Sequence, residues 1–268
     1  MPHSSTHQLN GATRVHFIVG DPIAQVKSPA GVTETFQSQG MNAFVMPAHV
    51  RPADLKTWAK GVSLAQNVDG IIVTVPHKFA SFDLCSTASS SAQFLGAVNT
   101  LRRNADGTWH GDMFDGLAFV KAMREQGCQP EGKRALLVGA GGAGSAIAHA
   151  LVTSGVSELA IHDEDSTRRS SLITRLNSLG LCSVTDGSAD PSGFQIVINA
   201  TPVGMKETDP FPVNPDPIVG SMFVGCVITA PAVTPLIAAA RAKGCVTVTG
   251  AEMFARVRDL MVDFLQGQ

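Results

Sequence analysis

The sequence has few of the features that mark metal proteins, disulfide-stabilised proteins, nucleic-acid-binding proteins or membrane proteins. Its five cysteines are scattered and show no CxxC spacing, so we expect reduced thiols rather than disulfides. Its eight histidines are spread along the chain, and no metal site is predicted from them. The formal charge of −2 provides no basic surface for nucleic acid. No apolar run reaches the roughly 18 residues of a membrane-spanning helix.

The N-terminal segment, residues 1–11, lacks the apolar stretch of a signal peptide, so we expect it to be a frayed tail. Together with the reduced cysteines, this predicts a cytoplasmic protein. A chain of 268 residues, 44% hydrophobic and 16% charged, is typical of a soluble globular protein with two modest domains or one large domain.

Short apolar segments alternate with helical patterns along the whole chain. Ser28-Pro29 is a helix start with serine at the N-cap, and the small polar run 86–92 predicts a loop or a weak helix. Strands separated by helices of this length predict parallel sheets covered on both faces, in two α/β domains with a small-molecule cleft between them. The predicted strands are Val15–Gly20, Ala43–Pro47, Gly70–Val75, Ala135–Val138, Glu158–Asp163, Ile196–Ala200, Phe223–Ile228 and Val246–Val248, with short strand-like pieces at 96–102 and 108–112 around a turn at Asn104–Gly107.

A glycine turn between the strand at 135–138 and the next helix has the pattern of a dinucleotide-binding site. Gly139 allows the tight turn, Gly141 lets the backbone approach a pyrophosphate, and Gly144 lets the helix pack on the strand. The helix N-terminus offers free N–H groups to the phosphates. Asp163, nineteen residues after Gly144, is placed to accept from ribose hydroxyls. The alternative is a glycine-rich turn that binds no ligand.

Three polar signals stand among the apolar strands of the first half. Lys78 follows the strand-ending Pro76, Asn99 precedes Thr100, and Asp115 lies at the predicted crossing between the domains. A lysine beside an aspartate can pass a proton to or from a hydroxyl if the pocket moves the lysine pKa towards the working pH. Taken singly, such a lysine is more often a solvated surface residue, and an aspartate before glycine is usually a turn residue.

Eight short motifs follow one another along the chain: Gly20-Asp-Pro-Ile, Lys27-Ser28-Pro29, Val73-Thr-Val-Pro-His-Lys78, Gly96-Ala-Val-Asn-Thr100, Gly111-Asp-x-x-Asp115-Gly116, Gly139-Ala-Gly-Gly-Ala143, Asn199-Ala-Thr-Pro-Val-Gly-Met205 and Gly250-x-x-Met253. In their order and spacing they resemble the shikimate dehydrogenase family over roughly residues 15–265. The resemblance implies a two-domain α/β fold: an N-terminal substrate domain (1–115, completed by the last helix in 249–268) and a Rossmann-type dinucleotide-binding domain (116–248). It also implies nicotinamide-dependent, reversible oxidation of a ring hydroxyl of shikimate, quinate or a relative.

The resemblance also implies roles for individual residues. Lys78 matches the acid/base lysine of the family, and Asp115 matches the aspartate that is the partner of that lysine. Asn99 matches a residue that hydrogen-bonds the substrate hydroxyls. Ser28 and Thr74 match residues near the substrate carboxylate. We expect the dinucleotide to be bound by Gly139, Gly141, Gly142, Ala143, Gly144, Asp163 and Gly250, with Asn199, Thr201, Gly204 and Met205 at the nicotinamide end.

Departures from the family pattern cluster around the substrate. Each buried substrate group left unpaired costs about 1–3 kcal/mol, so several lost donors predict a changed or broadened substrate. The residues that match the family's contacts with the reacting hydroxyl (Lys78, Asn99 and Asp115) are retained, whereas the positions expected near the substrate carboxylate are more apolar. The departures are Val26 for a serine, Ile72 for an asparagine, Thr229 for a tyrosine (the chain has none), Val257 for a glutamine, and Met113-Phe114 for Asn-Thr.

The cofactor side departs as well. Phosphate-preferring relatives carry Asn-Arg-Thr where this chain reads His162-Asp-Glu-Asp165. These acids would repel a 2′-phosphate, whereas Asp163 can accept from a free 2′-hydroxyl, so the sequence predicts NAD in preference to NADP. Arg168 and Arg169 lie nearby and are interpreted as solvated charges. The alternative is that these acids have no role in cofactor binding, because acidic residues are favourable at the N-terminus of any helix.

Two other functions stay open from the sequence. Because several polar substrate contacts of the family are missing, the chain could be a nucleotide-binding regulatory protein with little or no catalysis. The retention of Lys78 and Asp115 argues against this alternative. A dehydrogenase acting on a folate or amino-acid substrate is a further alternative. In each case we expect a small-molecule ligand, no nucleic-acid or membrane partner, and a monomer or homodimer.

Overall fold

The computed structural model describes residues 9–267, so most of the predicted N-terminal tail lies outside the described residues. Contacts between Cα atoms divide the chain into two compact units. The N-terminal unit comprises Met1–Met113 and Arg258–Gln268, and the central unit comprises Phe114–Val257. No helix in the described part of the chain is both long and apolar enough to span a bilayer.

The N-terminal unit is built on a sheet that, within residues 9–267, has six strands in the order β2-β1-β3-β5-β6-β4. The pairs β1/β2, β1/β3 and β4/β6 are parallel, whereas β3/β5 and β5/β6 are antiparallel, so the parallel sheet predicted for this unit is parallel only in part. Its elements are β1 (Arg14–Gly20), α1 (Ser28–Ser38), β2 (Ala43–His49), α2 (Leu55–Val62), β3 (Val68–Val73), β4 (Thr87–Ala88), α3 (Ser90–Leu95), β5 (Thr100–Arg103) and β6 (Trp109–Asp112), with 3-10 turns at Pro52–Asp54 and Phe82–Leu84.

Two helix starts in this unit differ from the sequence prediction. Lys27, not Ser28, is the N-cap of α1, and it makes no capping bond through its side chain. Ser28 is therefore the first helical residue, where it is buried. In the run predicted as loop or weak helix, Ser89 caps α3 by accepting from the Ala92 N–H, which allows this short helix to form.

Strand β2 forms one edge of this sheet and carries Pro47 near its end. Proline lacks an N–H, so it is tolerated at an edge and not in a central strand. The neighbouring Met46 is 47% exposed. By contrast, Ile71 and Ile72 of the central strand β3 are fully buried, because helices cover that part of the sheet.

The central unit contains a fully parallel sheet of six strands, counted over the described residues, in the order β12-β11-β10-β7-β8-β9. This is the strand order of a doubly wound dinucleotide-binding fold, in which ligands bind outside the carboxyl ends of the strands. Its elements are α4 (Asp115–Glu125), β7 (Arg134–Val138), α5 (Gly142–Thr153), β8 (Glu158–His162), α6 (Ser166–Asn177), β9 (Ser183–Asp186), β10 (Ile196–Asn199), β11 (Phe223–Cys226), α7 (Pro235–Ala242) and β12 (Val246–Val248).

The last helix, α8 (Gly250–Leu265), starts in the central unit and ends in the N-terminal unit. At its start, the Glu252 carboxylate accepts from the Thr249 N–H at 2.7 Å, and Thr249 Oγ1 accepts from the Glu252 N–H at 3.3 Å. At its end, Arg102 donates to the Phe264 carbonyl oxygen at 3.0 Å and stacks on the Phe264 ring. The predicted fold class, including the return of this helix, is confirmed.

Candidate active site

The carboxyl edge of the N-terminal sheet gathers several predicted site residues. Thr74 follows β3, and its N–H donates to the Val19 carbonyl oxygen of β1 at 3.0 Å. Because β5 runs antiparallel to β3, Asn99 begins where β3 ends, and the Val73 N–H donates to its carbonyl oxygen at 2.7 Å. A Cβ atom on Gly20 would lie 2.4 Å from Thr74 Cγ2, so only glycine lets these strand ends approach so closely.

Lys78 lies on the loop that continues from Thr74 and is partly exposed. The Val98 N–H, just before Asn99, donates to the Lys78 carbonyl oxygen at 3.0 Å. The backbone of Lys78 is therefore fixed beside the start of β5. Ser28, at the first turn of α1, follows β1 at the same edge of the sheet. The structure thus brings Ser28, Thr74, Lys78 and Asn99 to one edge.

The side chain of Asn99 is fully buried. Thr100, also fully buried, donates from Oγ1 to Asn99 Oδ1 at 3.1 Å. The Asn99 N–H donates to the Asp112 carbonyl oxygen at 2.9 Å. Asp112 Oδ1 also accepts from the Met113 N–H at 2.7 Å, so one network orders both Asn99 and the segment that leads to Asp115.

Asp115 belongs to the central unit, where it is the first residue of α4 and is 5% exposed. A carboxylate at this position is favoured by the positive end of the helix dipole. The next residue, Gly116, packs against α5: a Cβ atom there would lie 2.0 Å from the Ala146 carbonyl oxygen. This close approach fixes the first turn of α4 within the central unit.

The glycine turn after β7 has the geometry of a nucleotide-binding loop. Gly139 has a φ of +107°, which disfavours any side chain. A Cβ on Gly144 would lie 1.9 Å from the Gly139 carbonyl oxygen, so glycine is needed for the helix to meet the strand. A Cβ on Gly141 would meet no atom within 4 Å. Gly141, the N-cap of α5, and the following Gly142 and Ala143 are all partly exposed.

Asp163, at the end of β8, is buried and bonds to the protein backbone. Its Oδ2 accepts from the Ala140 N–H of the glycine turn at 2.6 Å, and its Oδ1 accepts from the Asp165 N–H at 2.9 Å. The Arg168 guanidinium lies 3.6 Å from Asp163 and 3.2 Å from Asp165. Asp165 also caps α6 by accepting from the Arg168 N–H, and this bond is the largest cause that lowers the Asp165 pKa.

Asn199, at the end of β10, holds the loop that follows it. Its Oδ1 accepts from the Thr201 N–H at 3.0 Å and from Thr201 Oγ1 at 2.7 Å, and its Nδ2 donates to the Val203 carbonyl oxygen at 3.1 Å. The next turn passes through Gly204, whose φ is +103°, and leaves Met205 44% exposed. The Asn199 amide is thus engaged within the protein, and Thr201 and Met205 are the more accessible side chains.

Sequence reasoning missed Asp209 in this loop. Its Oδ2 accepts from the Gly204 and Lys206 N–H groups, each at 3.0 Å, which closes the turn around Met205. These bonds lower the pKa of the Asp209 carboxyl, the Lys206 bond contributing most. An aspartate a few residues after a glycine turn is a signal that could have indicated it.

The remaining predicted residues lie elsewhere in the central unit. Thr229 follows β11 and is partly exposed, whereas Val257 is buried in α8. Gly250 opens α8, and a Cβ there would lie 2.2 Å from the Ile228 carbonyl oxygen. Across residues 9–267, no group of three or more His, Cys, Asp or Glu side chains could hold a metal ion.

Comparison with known proteins identifies relatives of this arrangement. Residues 18–101 match the model of the shikimate dehydrogenase substrate binding domain. The shikimate dehydrogenase (NADP(+)) of Rubrobacter xylanophilus is 33% identical over 251 residues, which cover 92% of this chain and 88% of that protein.

Two solved structures are also similar. A shikimate dehydrogenase in complex with NADP+ has a TM-score of 0.90 and 26% identity, with 97% of this chain and 92% of that chain covered. The quinate dehydrogenase of Corynebacterium glutamicum, in complex with NAD, has a TM-score of 0.86 and 29% identity, with 96% and 94% covered.

These comparisons correct the prediction that NAD is preferred to NADP, which is wrong. The curated relatives are named NADP(+)-dependent, and a similar structure holds NADP+. The geometry gives a physical reason. Both oxygens of Asp163 are used by backbone N–H groups, and the charges of Asp163 and Asp165 are offset by Arg168. The run of acids is therefore not the uncompensated negative surface that its sequence indicated.

Proposed function

The chain belongs to the shikimate dehydrogenase family, and from that premise we propose an NADP(H)-dependent enzyme that interconverts a ring hydroxyl and a ketone. It is a shikimate-type oxidoreductase. We propose shikimate, quinate or a less polar relative as the substrate. The observation that carries the proposal is that Thr74, Lys78 and Asn99 lie at one edge of one sheet, outside the carboxyl ends of its parallel strands.

The central unit offers a site that fits a dinucleotide. Gly141 leaves its backbone open to a pyrophosphate, and the first N–H groups of α5 have no partners within the helix. The bound nicotinamide would supply the hydride acceptor or donor. The protein's part is to bind the phosphates at this turn and to orient the ring beside Thr201 and Met205, which line the exposed loop after β10.

Lys78 is proposed as the acid/base residue. During oxidation its Nζ takes the proton of the substrate hydroxyl, and during reduction it returns the proton to the carbonyl oxygen. Asp115 is proposed to balance the lysine charge and to accept from a neighbouring hydroxyl. The Asn99 amide is oriented by Thr100, so that it can bond a second hydroxyl.

Arg168 is proposed to recognise the 2′-phosphate of NADP(H). It is the exposed guanidinium beside Asp163, at the end of β8, where the ribose binds in this fold. A planar guanidinium bonds a phosphate through two N–H groups. When NADP(H) binds, Arg168 would exchange part of its contact with Asp165 for a contact with the phosphate. In the free protein, Asp163 and Asp165 keep the guanidinium near the position that the phosphate would take.

The decisive experiment measures NADP+-dependent oxidation of shikimate, quinate and less polar cyclohexenols by the wild type and by Lys78→Ala. We expect at least one alcohol to be oxidised, with a kcat that falls about 10²–10⁴-fold in the variant. The less polar alcohols should compete well on kcat/KM because Val26 and Ile72 replace polar residues of the family. Efficient turnover of shikimate alone would contradict the broadened substrate range. Turnover that is independent of Lys78 would contradict the mechanism.

A further inference from the structure

His77 directly precedes Lys78, and its side chain is 1% exposed. Its Nε2 lies 2.7 Å from the Val50 carbonyl oxygen. Because a carbonyl oxygen can only accept, Nε2 must carry the proton and donate it. The side chain is therefore held as a buried donor and cannot turn without breaking this bond.

The acceptor belongs to another part of the same sheet edge. Val50 follows β2 and is itself buried, and its N–H donates to the Gly20 carbonyl oxygen at the end of β1, at 3.1 Å. The Asp21 N–H in turn donates to the Val75 carbonyl oxygen at 3.0 Å. The bond from His77 thus joins the lysine loop to the ends of β1 and β2.

The backbone of the same loop is held on its other sides. The His77 N–H donates to the Thr74 carbonyl oxygen at 2.9 Å, and the Ser81 N–H donates to the His77 carbonyl oxygen at 2.8 Å. The Val98 N–H donates to the Lys78 carbonyl oxygen. Among these bonds, the one made by the His77 ring is the side-chain contact that fixes the loop towards β2.

We propose that His77 is a positioning residue for Lys78, a role that rests on the proposed acid/base function of the lysine. A lysine side chain is long and flexible, so the point at which its backbone is fixed determines where Nζ can reach. A displacement of about 1 Å, caused by a change away from the reacting atoms, can cost on the order of 10²-fold in rate. Loss of the His77 donor also leaves the buried Val50 oxygen unpaired, which drives the loop to shift.

The test compares His77→Leu with His77→Gln, using shikimate and NADP+. Leucine has no donor, whereas the Gln amide places a donor close to the position of Nε2. We expect His77→Leu to lower kcat by about 10–100-fold with the KM for NADP+ unchanged, and His77→Gln to recover most of the loss. If His77→Leu does not fold, His77→Asn replaces it, because its shorter amide does not reach Val50.

Leu55→Ala is the matched control, because Leu55 is a buried residue of α2 in the same unit and takes part in none of the loop bonds described above. At equal loss of thermal stability, its kcat should stay near that of the wild type. An unchanged kcat in His77→Leu, or a failure of His77→Gln to restore it, would overturn the proposal. So would a further loss when His77→Leu is added to Lys78→Ala. Full activity of Lys78→Ala alone would instead refute the proposed function.

Discussion

Alanine substitutions at Gly141 and Gly144 should separate cofactor binding from stability. The two glycines lie in one turn but meet different surroundings. At Gly141 a Cβ has no neighbour within 4 Å, and the φ of −70° is open to alanine. Alanine there should leave stability unchanged or raise it by about 0.4–1 kcal/mol, because the unfolded chain loses freedom.

The added methyl at Gly141 would occupy the space through which a pyrophosphate approaches the backbone. We therefore expect Gly141→Ala to raise the KM for NADP+ by about tenfold or more, equivalent to at least ~1.4 kcal/mol of binding free energy. The KM for the alcohol should change little, since Thr74, Lys78 and Asn99, which are proposed to meet the alcohol, lie in the N-terminal unit and away from this turn in the sequence.

At Gly144 the added Cβ would lie 1.9 Å from the Gly139 carbonyl oxygen and 2.8 Å from its carbonyl carbon. Both are backbone atoms that cannot rotate away, so the helix must move. We expect Gly144→Ala to lower the unfolding free energy by about 2 kcal/mol or more, and Tm by roughly 4–8 °C.

Calorimetry and initial rates at varied NADP+ measure the two effects in the same preparations. Equal KM values for wild type and Gly141→Ala would refute the placement of the phosphates at this turn. A loss of Tm in Gly141→Ala as large as that in Gly144→Ala would refute the distinction drawn from the distances.

Three further predictions concern charged groups. Lys78→Ala should keep its Kd for NADP+ within about threefold while kcat falls 10²–10⁴-fold, and weakened binding in calorimetric titration would argue for a structural role. Arg168→Gln should raise the KM for NADP+ about tenfold or more while that for NAD+ changes little, and equal changes for both would count against the 2′-phosphate contact. Burial lowers the His16 pKa to about 4, so below pH 6.5 the unfolded chain binds a proton that the folded chain does not, and stability falls as the pH drops from 6.5 towards 4. The loss of unfolding free energy approaches about 3 kcal/mol. In urea unfolding, His16→Leu should reduce the fall in stability between pH 6.5 and 4, and an unchanged fall would show that His16 is not its cause.

The parts of the fold that follow from local chemistry could be predicted from the sequence. The turn from Gly139 to Gly144 needs glycines for reasons visible in their order, and the strands around it followed from apolar runs between turns. The antiparallel pairing of β5 with β3 could not be predicted, because the sequence of two short strands around a turn does not indicate which third strand pairs with them. The shift of the α1 N-cap from Ser28 to Lys27 likewise depends on tertiary burial of the serine.

For the candidate site, the sequence names residues but does not show which hydrogen bonds they make. Asp163 was expected to face a ribose, yet the structure gives its oxygens to the N–H groups of Ala140 and Asp165. A sequence shows that a carboxylate is present but not which donors fold around it. The same limit hid the bond from His77 to Val50, whose partners are 27 positions apart.

Pro47 in the edge strand β2 affects how readily this strand could pair with a strand of another molecule. A row of unpaired backbone groups along such a strand invites extension by a like strand from a neighbouring molecule. An imide nitrogen interrupts that row just beside the exposed thioether of Met46. Pro47 therefore disfavours β-stacking between molecules along this edge of the sheet.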